Sequence, residues 1–292
     1  LYARSEIKDG GRYMRGASLS PDGKRVVVTA RGEIFNLPVE KGVTKNIVRT
    51  PGAHERSATW SPDGKHIAYI SDATGETELY MQPAEGGEAV QLTKNNDTYI
   101  RNFEWSPDSK SIVYTDRKNR INLLNVATKQ VTEVLRDPKK EPYEVTFSPD
   151  SKWLAYTRMA DNEYDIIYLY RIDDKKEFQV TDRWYDSGSP TFSTDGKYLV
   201  FTSMRDFNPT YGSKEWNHVY GYSNGVCLAL LTKDTPSPFL TKDDGSKAEP
   251  KKVEINVEEG GKKKETDEKK KPEGVTVKVD ADGLNDRIVK VP

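Results

Sequence analysis

The sequence predicts an all-β fold assembled from one repeated four-stranded unit. Three observations predict it: a five-residue turn pattern returns at near-constant spacing, β-branched and aromatic runs flank every copy, and helical periodicity is nearly absent. The copies are Ser20-Pro21-Asp22-Gly23-Lys24, Ser61-Pro62-Asp63-Gly64-Lys65, Ser106-Pro107-Asp108-Ser109-Lys110, Ser148-Pro149-Asp150-Ser151-Lys152 and Ser193-Thr194-Asp195-Gly196-Lys197, spaced by 41, 45, 42 and 45 residues. Proline presets φ at the second turn position, aspartate bonds its own backbone, and glycine tolerates the tight exit.

Each turn is the hinge between two strands. In the first unit Leu19 precedes the turn and Val26-Val27-Val28 follows, then Ile34 to Leu37 and Asn46 to Val48. The second places Trp60, Ile67 to Ile70, Leu79 to Met81 and Val90 to Leu92; the third Trp105, Ile112 to Tyr114, Ile121 to Leu124 and Val131 to Val134. The fourth has Phe147, Leu154 to Tyr156, Ile166 to Leu169 and Phe178 to Val180; the fifth Phe192, Leu199 to Phe201, His218 to Tyr220 and Cys227 to Leu230. Four strands every ~40–45 residues is the period of a propeller blade, because such a sheet buries both faces only when neighbours stack on it. The expectation is a β-propeller of four-stranded antiparallel blades. Blades one to five fill residues 1–240.

From 241 to 274 the composition turns to Lys, Glu, Asp and Gly, including Lys262-Lys263-Lys264 and Lys269-Lys270-Lys271. That stretch reads as a charged low-complexity insertion, with Val253, Ile255 and Val257 alternating as one short strand inside it. Residues 275–292 then read as the beginning of a sixth blade, so the ring is expected to be incomplete and the chain to be part of a longer protein.

Composition excludes several function classes. The 292 residues carry 45 basic and 46 acidic side chains and no long apolar run, which argues against nucleic acid as a partner and against a membrane-spanning helix. A single cysteine, Cys227, leaves no internal disulfide and no Cys-based zinc cluster. The histidines at 54, 66 and 218 lack ligand spacing, and no glycine-rich phosphate loop occurs, so no metal or cofactor is expected. Gly221-Tyr222-Ser223-Asn224-Gly225 matches the Gly-x-Ser-x-Gly pattern of a nucleophile elbow. An elbow needs a helix after the serine and a histidine later in the chain; here a strand follows Ser223 and no histidine does. Asn224-Gly225 is instead a hairpin signal.

One constellation points to binding. Five residues before the turn serine stand Arg15, Arg56, Arg101, Tyr143 and Gly188, so three successive innermost strands offer arginine at one register. Equal register means equal height about the axis, and the three guanidinium groups are expected to line one mouth of a substrate channel and to hold peptide carboxylates by paired hydrogen bonds. The competing reading pairs each with a local acid such as Glu55 or Glu104.

Two longer runs go beyond a generic blade: Ala30 to Gly42, and Arg49-Thr50-Pro51-Gly52-Ala53-His54-Glu55-Arg56 leading to Trp60 and its turn. With Leu231 to Phe239 and Asp280 to Arg287 they resemble the tricorn protease family. The resemblance covers about 1–240 and 275–292 and implies the seven-bladed propeller of a large oligomeric serine peptidase that trims oligopeptides. It implies a propeller that gates peptides toward a catalytic core elsewhere, so no catalytic residue is carried over. The implied partners are peptides or unfolded protein segments, the remaining domains and further copies of the full-length protein. The implied compartment is the cytoplasm, with the periplasm as alternative. A TolB-like propeller acting as a protein-binding module shares the Ser-Pro-Asp-Gly-Lys repeat and is the competing function.

Overall fold

All five turns close the same hydrogen-bond circuit, which fixes where each blade turns back. In the computed structural model the serine hydroxyl donates to the aspartate carboxylate at 2.6 Å in every copy. The lysine N–H donates to the same carboxylate at 3.0–3.2 Å, and the N–H five residues after the serine donates to its oxygen at 2.9–3.0 Å. The fourth position adopts φ between +61° and +73°, where a Cβ is disfavoured. Ser109 and Ser151 occupy it nonetheless. Their hydroxyls accept the N–H of Asp63 and Asp108 of the preceding blade, at 3.0 and 3.1 Å, which offsets that cost.

The structure describes residues 11–48, 50–139, 144–206, 210–211, 218–219, 224–239 and 274–292. Five four-stranded antiparallel sheets follow in chain order. The first contains Met14–Leu19 (β1), Arg25–Ala30 (β2), Glu33–Pro38 (β3) and Lys45–Asn46 (β4); the second Glu55–Trp60 (β5), His66–Ser71 (β6), Glu78–Pro83 (β7) and Val90–Gln91 (β8). The third holds Ile100–Trp105 (β9), Ser111–Asp116 (β10), Arg120–Asn125 (β11) and Val131–Arg136 (β12); the fourth Val145–Phe147 (β13), Trp153–Met159 (β14), Asp165–Arg171 (β15) and Lys176–Gln179 (β16). The fifth begins with Ser187–Phe192 (β17) and Tyr198–Ser203 (β18). Helix among the described residues is limited to two short 3-10 turns.

Successive side chains on a strand point to opposite faces, and the core uses both. Ile67 and Tyr69 of β6 pack with Val27 and Ile34 of the first blade, whereas Ala68 and Ile70 pack with Ile112 and Tyr114 of the third. Val113 joins Leu154 and Tyr156 of the fourth blade, and Trp153 and Ala155 join Leu199 and Phe201 of the fifth. Each fully buried aliphatic side chain contributes ~1.5–3 kcal/mol, so these interfaces outweigh the few hydrogen bonds crossing them, worth ~1 kcal/mol each.

The fifth blade departs from the sequence reading. The segment at 218–220 was expected as its third strand and 227–230 as its fourth. Instead Thr210–Tyr211 (β19) and His218–Val219 (β20) form a separate hairpin, and Gly225–Leu230 (β21) pairs directly with β18. Ile288–Lys290 (β22) then pairs with β21, so the segment read as the start of a sixth blade supplies the fourth strand of the fifth. The physical reason is the apolar run at 226–231, which delivers Cys227 and Ala229 to the interface with the fourth blade while keeping pairing along all of β18. The two-residue strand at 218–219, whose one apolar residue is Val219, is too short to do so. The insertion at 241–273, its proposed strand at 253–257, and Ser223 lie outside the described residues.

The chain returning at Gly274 crosses the turn end of the fourth and fifth blades. The Val277 N–H donates to the Asp150 carboxylate at 2.9 Å, and its side chain lies so close over Gly196 that a Cβ there would meet it at 2.8 Å. Asp280 N–H donates to the Leu231 carbonyl at 2.9 Å, and Arg287 reaches the carbonyls of Leu230, Asp280 and Asp282.

Candidate functional site at the inner edge of the blades

Five first strands, β1, β5, β9, β13 and β17, form the inner edge. They are far more polar and exposed than the second strands behind them, which read almost without break as buried residues in β6, β10 and β14. Ladder register slips at one height: between Arg15 and Ala17, between Arg56 and Thr59, around Arg101, and between Gly188 and Thr191. Gly16, Ser57 and Ser189, four residues before their turn serines, take φ of +74°, +55° and +53°. Such bulges re-aim side chains, and they recur where the inner edge carries its charged groups. In the first and fifth blades a second-strand threonine caps the bulge: Thr29 Oγ1 donates to the Arg15 carbonyl, and Thr202 Oγ1 to that of Gly188 at 3.1 Å.

Arg15, Arg56 and Arg101 all lie on these inner strands, and the structure treats them differently. Arg15 is exposed on β1. Arg56 reaches across to the third blade, where Nη2 donates to the Ile100 carbonyl at 2.5 Å and Nη1 to the Arg101 carbonyl at 3.5 Å. Its guanidinium lies over the Tyr99 ring, 3.9 Å from the centroid, and burial pulls its pKa below the ordinary arginine value. Arg56 and Arg101 are therefore brought together through backbone, and Arg56 acts as a clasp between blades. The expected local acid is not its partner. Glu55 is 2% exposed and accepts the Ser71 hydroxyl at 3.1 Å, with burial pushing its carboxyl pKa up.

Two carboxylates make equivalent reaches. Glu104 of β9 accepts the Thr146 hydroxyl of the fourth blade at 3.3 Å. Solvent reaches it at the inner edge while protein surrounds it on most sides; burial raises its pKa against the lowering effect of hydrogen bonds from the Phe147 backbone and Thr146. Glu144 accepts both the N–H and the hydroxyl of Ser189 in the fifth blade, the latter at 2.9 Å. Sequence reasoning named Glu104 only as a local partner for arginine, not as a link to the fourth blade, and missed Glu144. Small residues at the bulge register, Gly16, Ser57 and Ser189, were the available signal.

Clefts open beside these clasps. One of about 190 Å³ lies between the third and fourth blades, with Asn102, Glu104, Thr115, Glu144, Val113 and Val145 among its lining. A more acidic one of about 380 Å³ lies between the fourth and fifth, with Glu144, Asp165, Asp186, Ser189 and Thr202. The inner edge is thus basic on the side of blades one to three and acidic on the side of blades three to five. Such an edge can bind extended peptide by backbone and charge; among the described residues it places no nucleophile in contact with a base. Among the described residues no group of three or more His, Cys, Asp or Glu side chains is placed to hold a metal ion, and no helix is long and apolar enough to cross a membrane.

Comparison with known proteins agrees with this architecture. Residues 14–292 match the family model described as the tricorn protease second beta propeller domain. Tricorn protease homolog 1 of Streptomyces coelicolor is 29% identical over 174 residues, 59% of this chain and 15% of the relative. A putative tricorn-like protease C-terminal subunit of Sulfurisphaera tokodaii is 32% identical over 128 residues, 42% of this chain and 15% of the relative. The chain therefore spans about a seventh of the length of these curated relatives. Among solved structures, the tricorn protease covers all of this chain with a TM-score of 0.77 at 17% identity, the match taking up 26% of that protein. A putative TolB from Agrobacterium tumefaciens covers 75% of this chain and 77% of its own, with a TM-score of 0.51 at 24% identity, a likeness of fold.

Proposed function

Because the chain belongs to the tricorn protease family, which it matches through that family's second propeller domain, we propose that it is the non-catalytic propeller of a serine peptidase that degrades oligopeptides. In this reading it guides peptides toward a catalytic core outside these residues. The observation that carries the reading is the polar inner edge: the first strands of blades one to three carry Arg15, Arg56, Arg101 and Glu104, Glu144 precedes that of the fourth, and bulges recur at one height in the first, second, third and fifth, backed by an apolar inter-blade core that uses none of these charged groups. A rigid stacked scaffold with a charged inner edge suits selection of extended chains by size and charge. The basic segment holds carboxylates, with Arg15 and Arg101 as contact groups and Arg56 as the clasp that positions the third blade.

The full-length protein is proposed to assemble with further copies of itself and to work in the cytoplasm, and the 241–274 stretch to be an insertion outside the peptide path. Labelling the full-length protein with a serine-directed phosphonate tests the division of labour. The label is expected outside residues 1–292, and a label on Ser223 would overturn the reading. The TolB-like alternative, a protein-binding module with no peptidase, requires instead that the full-length protein take no label and hydrolyse no oligopeptide.

A further inference from the structure

The bulge-capping threonine is used in the first and fifth blades and idle in the third. Thr29, Thr115 and Thr202 each stand nine residues after their turn serine. Thr29 and Thr202 donate to the carbonyl five residues before that serine. In the third blade that carbonyl belongs to Arg101 and is taken by the Arg56 guanidinium of the neighbouring blade. The Thr115 hydroxyl is left buried with no hydrogen-bond partner, in a residue only 5% exposed.

Register shows where it points. Thr115 lies opposite Asn102, and Val113 opposite Glu104. Cross-strand pairs share a face, and Val113 packs with Phe147, Leu154 and Tyr156 of the fourth blade. All four side chains therefore face the 190 Å³ cleft, whose far wall is Glu144 and Val145. The cleft is smaller than the ~300–1,000 Å³ of a whole-ligand pocket, which fits one side chain rather than an entire peptide. Its floor is apolar at Val113 and Val145. Its polar groups are the Thr115 hydroxyl, the Asn102 amide and the Glu104 carboxylate, together with Glu144, which Ser189 already engages. An apolar floor under oxygen acceptors matches an unbranched aliphatic stem ending in a cation.

We propose that the cleft between the third and fourth blades is a binding site for a lysine side chain of a bound peptide, with Glu104 pairing the ammonium, Thr115 accepting one of its hydrogens, and Val113 and Val145 against the stem. The site rests on the peptide-guiding reading for its biological role but not for its test. Water filling the cleft is the competing account of the idle hydroxyl.

The test titrates Nα-acetyl-lysine methylamide into the full chain at pH 7 and follows the Val113, Thr115 and Val145 signals by NMR. The norleucine and Nε-acetyl-lysine counterparts serve as controls. Saturable shifts with the lysine compound alone are expected. Hydrogen bonds to charged groups predict at least a tenfold weaker affinity in Glu104→Gln, and Thr115→Val weakens it by about threefold or more. Equal binding of the norleucine compound, no shift at all, or unchanged affinity in Thr115→Val would each overturn the site; the last holds even if Glu104→Gln fails to fold. The probe needs no peptidase core, so peptide hydrolysis by the full-length protein can succeed or fail independently of this result.

Discussion

Replacing Arg56 separates a clasp from a channel lining. Its guanidinium makes two contacts with blade-three carbonyls, at 2.5 and 3.5 Å, and lies 3.9 Å from the Tyr99 centroid. A hydrogen bond from a charged donor contributes ~1.5–3 kcal/mol, and a partly desolvated cation–π contact ~0.5–2 kcal/mol. Removing the side chain also removes the cost of burying its charge, which offsets part of that loss. The net expectation for Arg56→Ala is a loss of about 2 kcal/mol, and at ~2–4 °C per kcal/mol this lowers Tm by about 4–8 °C. Arg15→Ala, at an exposed site, is expected to stay within ~0.5 kcal/mol. Arg56→Lys keeps the charge but not the fork and recovers only part of the loss. Thermal and urea unfolding of the three variants, with a double-mutant cycle against Tyr99→Leu, measures these quantities; the cycle should show ~0.5–2 kcal/mol of coupling. If Arg56→Ala leaves stability untouched while abolishing binding of acidic peptides, the clasp assignment is wrong and the residue lines a channel.

Three further outcomes follow from the packing. Gly196→Ser, which copies the residue at the same turn position in the third and fourth blades, should destabilise by ~1–3 kcal/mol more than Gly23→Ser through overpacking, because a Cβ at 196 meets Val277 and Val275 whereas at 23 nothing lies within 4 Å; equal losses in urea unfolding would count against the placement of the returning chain. Burial raises the Glu55 pKa in the folded state, so its contribution is full below the unfolded-state pKa and is lost as pH rises through the folded one. Glu55→Gln should therefore flatten the fall in stability with pH just above the ordinary glutamate range, and an unchanged slope in denaturation curves would refute this. The Cys227 thiol is 1% exposed and its pKa is pushed up by burial, so it should resist a disulfide reagent in the native state and react on unfolding; fast native labelling would contradict the packing of the fifth blade on the fourth.

What could be read from the sequence was what neighbouring residues decide among themselves. The Ser-Pro-Asp turns declare themselves because serine, aspartate and the lysine N–H satisfy one another within five residues. The inner and second strands of all five blades follow from them by alternation. The fifth blade was misread at its outer half because strand order there depends on which segment matches β18 in length, not on which comes next. Arg56 was legible as an inner-edge residue but not as a clasp, since its partners are carbonyls 44 and 45 residues away. The idle Thr115 is visible only by comparison with Thr29 and Thr202, whose hydrogen bonds no spacing announces.

The peptide path itself is most directly tested by photo-crosslinking. A peptide carrying a benzophenone residue is bound to the full-length protein with its nucleophile inactivated, and the attachment sites are mapped by mass spectrometry. Crosslinks within Arg15–Leu19, Arg56–Trp60, Arg101–Glu104 and Gly188–Ser189 are the expected result. Crosslinks concentrated on the outer strands β4, β8, β12 and β16 would contradict it.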